Sequence, residues 1–221
     1  MAGVSEQKGA IEILEPTRAE RAVIRRSAES RATVPDLELE VEVDITTKAP
    51  PAAGLEAEIL GAAAGALTEH RRLNGAYRDG HYELHSRVNA GIVLGEQAAY
   101  PVATVFDVDR LEPEAIATEL ARLRGRADAG ELSPPELSGA TFSFWFAGAA
   151  GISRAVLPVI PPHAAALVAG APRAVPVIRD GDICRGQMVS LTLACDHRIA
   201  FGPHAAGFLT AVKARLEART R

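Results

Sequence analysis

Residues 191–202 read Leu191-Thr192-Leu193-Ala194-Cys195-Asp196-His197-Arg198-Ile199-Ala200-Phe201-Gly202. Leu191, Leu193 and Cys195 alternate with Thr192 and Ala194, which is the period of a strand. The strand runs directly into a histidine flanked by an acid and an arginine. Gly202 then marks a turn, and Phe208, Leu209, Val212 and Leu216 recur at helical spacing on the buried face of a final helix. A strand end is a common place to present a catalytic side chain, and equally a place for a structural histidine.

Working outward, Thr141–Ala147, Ala164–Ala169 and Met188–Cys195 read as three strands. Leu37, Leu39, Val41, Val43 and Ile45 alternate with acids in a half-buried strand, and Ile11–Leu14 has the composition of a short one. Thr17 and Glu20 have capping-box spacing, so a helix starts there and runs to about Ser30. Beyond the Pro50-Pro51 break, a helix places Leu55, Ile59, Ala63 and Leu67 on one side. Asp79-Gly80 is the turn of a hairpin, with His81–Leu94 as strand material. Pro101–Phe106 follows as a strand, and Pro113 opens a helix carrying Ile116, Leu120 and Leu123. Ser133–Gly139 is a turn-rich connector. Strands and helices mix without regular βαβ alternation, so the sequence predicts one α+β domain over 11–221 behind a flexible tail, 1–10.

The chain has 221 residues and 48% apolar content, enough for one substantial core. There is no apolar run of 18 residues and no apolar leader at the N-terminus, which predicts a cytoplasmic protein without a membrane span. A formal charge of −4 gives no electrostatic reason for nucleic-acid binding. Cys184 and Cys195 are too few for a zinc site, and Cys195 reads as a buried thiol. His81 and His85 have metal-like spacing only on a helix. In an extended segment they lie ~13 Å apart, so no metal is expected.

Several segments in order resemble the catalytic domain of the dihydrolipoyl acyltransferases, the core subunits of 2-oxoacid dehydrogenase complexes. They are Glu29-Ser30 and Thr33-Val34-Pro35 leading into Val41–Thr46, then Leu73-Asn74, Val88-Asn89-Ala90-Gly91-Ile92, Gly130–Phe142 and Pro161–Leu167. The Asp196-His197-Arg198 block completes the set. The resemblance implies the chloramphenicol acetyltransferase-like two-layer α+β fold with a mixed sheet. It also implies a homotrimer whose active site lies between subunits, coenzyme A thioester as co-substrate, and no metal. Lipoyl and subunit-binding domains are not seen, so no lipoyl group is expected on this chain. A diffusible small-molecule acceptor is the simpler expectation. The charged segment Lys213–Arg221 predicts assembly that stops at the trimer.

By resemblance His197 is the base that deprotonates an attacking hydroxyl or thiol. Asp196, Arg198 and Gly202 belong to the same motif. The family pattern Asp-His-Arg-x-x-Asp-Gly has its second acid at the position of Phe201. The family's hydroxyl donor to the tetrahedral intermediate falls at Trp145, with Ser143 two residues earlier on the same strand face. An indole N–H can also aim a hydrogen at an oxyanion, whereas Phe201 cannot act as a carboxylate. Both aromatics are expected to be largely buried and to line the channel. Either they reshape the site for a flat or apolar acceptor, or they plug it. In relatives an arginine of the first helix pairs with the motif's second acid. Arg21 and Arg26 are both candidates, and with Phe201 in place either should turn to solvent or to another acid. The sequence thus points to an acyltransferase moving an acyl group, acetyl by expectation, from a CoA thioester to a small molecule, in specialised metabolism by analogy. A silent trimeric scaffold and a divergent core of a 2-oxoacid dehydrogenase complex are the alternatives.

Overall fold

The computed structural model describes residues 9–46, 54–94 and 102–218. Helix α1 (Arg18–Thr33) starts at the capping box: the Glu20 N–H donates to Thr17 Oγ1 and the Thr17 N–H to Glu20 Oε2. These two bonds satisfy amides that a helix start otherwise leaves without partners. Strand β1 (Asp36–Asp44) follows, then α2 (Gly54–Glu69) and the hairpin β2 (Gly75–Arg78) and β3 (His81–Leu84). Asp79 and Gly80 both have positive φ, 50° and 79°, which gives the two-residue turn that matches strand twist. Next come β4 (Ala90–Val93), β5 (Val102–Val105), α3 (Pro113–Asp128) with proline in its first turn, β6 (Phe142–Phe146) and β7 (Ala165–Ala169). The chain continues through β8 (Arg173–Arg179) and β9 (Asp182–Asp196) to α4 (Gly202–Ala218).

Seven strands form one sheet in the order β1-β9-β7-β6-β4-β5, with β8 paired to β9 outside that path. The sheet is mixed, because β6 lies parallel to both β4 and β7 while the other pairs are antiparallel. Phe142, Phe144, Leu167, Leu191 and Leu193 point to one face and share a core with Ile59 and Leu67 of α2, Ile116 and Leu120 of α3, and Phe208 and Val212 of α4. The opposite face carries Ser143 and Trp145, Ala166 and Val168, and Thr192 and Ala194, since directly paired residues share a face. Part of it is covered by the chain around Val159, whose carbonyl accepts the buried Ser30 hydroxyl at 2.7 Å. The two-layer α+β architecture is as expected. Pro50-Pro51 and the tail up to residue 8 lie outside the described residues, as does Pro101 at the start of the expected fourth strand.

Three expectations need correction. Ile11–Leu14 is not a strand in the single chain: nothing among the described residues pairs with it, and Ile11, Ile13 and Leu14 are exposed. The stretch His81–Leu94 is two strands separated at residues 85–89, where Asn74 gathers the chain by accepting the His85 N–H and donating to the Arg87 carbonyl. Strand β8 is absent from the sequence reading, and β9 starts six residues earlier than Met188. Pro176 lowers the strand signal in β8, yet a proline is tolerated on a strand paired on one side only. The strands pair closely at Gly186 because glycine has no Cβ, and one there would lie 2.5 Å from Val177 Cγ1. The missed signal was Asp180-Gly181, which repeats the Asp79-Gly80 turn with φ values of 52° and 91°.

Candidate functional site

Strand β9 ends at Asp196, and the turn after it is fixed from several sides. The carboxylate of Asp196 is buried and accepts the Arg198 N–H at 2.9 Å, Nε at 2.9 Å and Nη2 at 2.7 Å. Its carbonyl accepts the N–H groups of Ile199 and Ala200, and those two residues are fully buried. The His197 N–H donates to the Pro35 carbonyl at 2.8 Å, which ties the turn to the junction of α1 and β1. Asp196 and Arg198 therefore hold each other and the backbone, leaving the His197 imidazole exposed on the single chain. A bidentate carboxylate–guanidinium pair suits this task because its geometry is planar and directional.

Phe201 stands beside the histidine. Its ring meets His197 edge to face with centroids 5.6 Å apart, and meets His204 at 5.6 Å on another side. The Phe201 N–H donates to His204 Nδ1, and its carbonyl starts α4 by accepting the N–H groups of His204 and Ala205. Gly202 opens that helix, with open space where a Cβ would be. The guanidinium of Arg72 lies 5.8 Å from the Phe201 centroid and 4.9 Å from that of Tyr82, while Arg198 lies over Tyr77 at 4.8 Å. The sequence reading did not single out Arg72, Tyr77 or Tyr82. Only the fold brings the β2–β3 hairpin against the turn.

Ser143 is engaged elsewhere. Its Oγ is 2.8 Å from His163 Nδ1, and His163 Nε2 is 2.9 Å from the Ala140 carbonyl. A carbonyl only accepts, so Nε2 carries the hydrogen. Burial pushes the His163 pKa down to about 4, so the neutral ring accepts the Ser143 proton at Nδ1. That proton is then unavailable to an oxyanion, and Ser143 supports the strand instead of acting as a donor. The unfolded histidine takes up a proton below its usual value near 6.5, but the folded one does so only near 4. The contribution of His163 to stability is therefore full above pH 6.5 and is lost as the pH drops toward 4, on the order of 3 kcal/mol. Urea unfolding at pH 7.5 and 4.5 should show this loss in the wild type, and a smaller one in His163→Gln, whose amide can replace both hydrogen bonds. Equal losses in the two proteins would refute the assignment.

Trp145 is half-buried, and Phe201 is 39% exposed, so the expected burial of both aromatics does not hold within one chain. Neither points into the helical core. Trp145 pairs with Val168, and Val168 with Thr192, which places Trp145 two strands across from β9 and level with a residue five before His197. At about 3.3 Å per residue this is roughly 16 Å along the strand, beyond the reach of a side-chain contact. Arg21 donates to the Pro16 carbonyl at 2.5 Å, and Arg26 is exposed; its charge reaches His163. Cys195 is buried, and desolvation raises its thiol to about 12, so it is no nucleophile at neutral pH. Among the described residues no group of His, Cys, Asp or Glu is arranged to hold a metal, and no helix is long and apolar enough to cross a membrane.

This fold, with a histidine offered from a clamped turn at a strand end, agrees with the comparisons to known proteins. The family model for 2-oxoacid dehydrogenases acyltransferase (catalytic domain) matches residues 9–221. The chain belongs to that family of acyltransferases. It is 34% identical over 158 residues to the dihydrolipoyllysine-residue acetyltransferase component of the pyruvate dehydrogenase complex of Corynebacterium glutamicum, covering 69% of this chain and 23% of that protein. It is 29% identical to the corresponding component of the acetoin cleaving system of Bacillus subtilis, covering 97% and 57%. The chain thus spans between about a quarter and somewhat over half the length of these relatives. Among solved structures, a probable dihydrolipoamide acetyltransferase from Listeria monocytogenes superposes with a TM-score of 0.87 at 28% identity, over 94% of this chain and 95% of that one. Chloramphenicol acetyltransferase shares the fold, with a TM-score of 0.55 at 15% identity, over 93% and 99%.

Proposed function

We propose that this chain transfers an acyl group between coenzyme A and a thiol or hydroxyl acceptor, with His197 as the base. The observation that carries the reading is the Asp196–Arg198 clamp, which holds the turn while leaving the imidazole open to a substrate. His197 takes the proton of the acceptor S–H or O–H as its sulfur or oxygen attacks the thioester carbonyl. The tetrahedral intermediate collapses, the bond from carbon to the coenzyme A sulfur breaks, and the leaving thiolate recovers the proton from His197. An oxyanion donor is needed meanwhile, and the indole N–H of Trp145 is the group at the family's donor position.

Since Trp145 and His197 of one chain lie too far apart to act together, the site is completed by a neighbouring copy in a homotrimer. Light scattering should give a mass near three chains of 23.3 kDa. A monomer would exclude the shared site.

The names of the relatives give the dihydrolipoyl group as the reference acceptor. A second reading, a diffusible flat or apolar acceptor, is favoured by Phe201 against His197 and by Trp145 in place of a small polar residue. Release of free coenzyme A from acetyl-CoA, measured with dihydrolipoamide and with a panel of small hydroxyl and thiol acceptors, separates the two. Turnover with dihydrolipoamide alone supports the first, and turnover with panel members above it supports the second. Background release throughout would support a silent scaffold.

A further inference from the structure

Among the described residues the guanidinium of Arg72 has no carboxylate partner. One N–H, from Nη1, donates to the Ile199 carbonyl at 3.2 Å, two residues beyond His197. The Tyr82 and Phe201 rings flank it at 4.9 and 5.8 Å. Among the described residues no carboxylate forms an ion pair with it, in contrast to Arg198, whose donors are taken by Asp196. A guanidinium has five N–H donors, so Arg72 keeps most of them for a ligand. Aromatic faces fix its plane at little cost, because the ring quadrupole attracts the cation.

Three features converge here. Phe201 and Tyr82 are 39% and 45% exposed, and so offer open apolar faces. Arg72 provides an unpaired positive charge between them. Both His197 and Arg72 lie within 6 Å of the Phe201 ring centroid, so they stand at most about 12 Å apart. One substituted aromatic ring spans such a gap with an acidic group at one end and a hydroxyl or thiol at the other. Phe201 also removes the carboxylate that the family motif would set beside Arg72, and that acid would repel an anionic ligand.

We propose that Arg72 is a specificity-determining residue that binds the carboxylate of an aromatic acceptor, with Phe201 and Tyr82 packing on its ring and its hydroxyl or thiol facing His197. This rests on the acyltransferase reading, but binding tests it separately from turnover. The full chain would be titrated calorimetrically with 4-hydroxybenzoate and with 4-hydroxybenzamide, which share shape and differ in charge. The acid should bind about 10- to 100-fold more tightly, the range of a charge-assisted hydrogen bond. Arg72→Gln should bring the ratio near one, Arg72→Lys should keep part of it, and Phe201→Ala should weaken both ligands alike. Rising salt should reduce the acid's advantage. Equal binding of acid and amide by the wild type, no binding of either, or a ratio unchanged in Arg72→Gln would overturn the proposal. Thermal melts check that each variant folds, and if Arg72→Gln does not, Arg72→Lys carries the comparison. Acid-selective binding with only background coenzyme A release from acetyl-CoA, dihydrolipoamide included, would keep Arg72's role and sink the enzymatic reading; transfer without selectivity would do the reverse.

Discussion

Replacing His197 by alanine is expected to lower acetyl-CoA-dependent transfer by about 100- to 10,000-fold, the contribution of a well-placed general base. The fold should survive, because the imidazole is exposed and the turn is held by other groups. Asp196 keeps its pair with Arg198, Ile199 and Ala200 stay in the core, and the bond to Pro35 uses the backbone N–H. A thermal melt close to wild type together with loss of coenzyme A release would therefore assign the defect to chemistry. Catalysed release unchanged in His197→Ala would remove His197 as the base, and equal, background-level release in both proteins would leave the scaffold reading ahead.

The second large effect is expected from restoring the family's polar groups. Trp145→Ser combined with Phe201→Asp should raise transfer to dihydrolipoamide relative to wild type, with a ceiling of about 100- to 1,000-fold that is reached only if the bulkier indole gives no donor to this acceptor's intermediate. Trp145 is only half-buried and Phe201 is on the surface of the chain, so neither change empties the helical core. The new carboxylate would stand next to Arg72 and His197, where Phe201 now lies within 6 Å of both. Steady-state rates with dihydrolipoamide decide it. If the double variant is no faster, the two aromatics are not what limits this acceptor, and the reshaped-site argument fails.

Much of the fold was legible because its signals are local. Thr17 and Glu20 announce a helix start, Asp79-Gly80 a tight turn, and Ile116, Leu120 and Leu123 a buried stripe, and each was found where the spacing put it. The losses came where a local signal was mixed. Pro176 hid a strand that needs only one paired side, and Ile11–Leu14 had strand composition without a partner among the described residues. The site divides in the same way. The Asp196-His197-Arg198 block was readable because its parts are adjacent in sequence. Arg72, with Tyr82 against it, reaches Phe201 only through the packing of a segment more than a hundred residues upstream, and nothing in that segment marks them. The Ser143–His163 bond likewise spans the long connection between β6 and β7, so its effect on the serine proton was invisible in sequence.

The distance between Trp145 and His197 in one chain also bears on how such an enzyme is regulated. If one copy supplies the base and another the oxyanion donor, a freshly made chain has no complete catalytic unit of its own, however well it has folded. Output per chain then depends on concentration, rising steeply through the range in which copies associate and levelling once association is complete. No inhibitor or covalent mark is needed to keep dilute chains silent. On the proposed shared site, the spacing of β6 and β9 in the sheet would do that by itself.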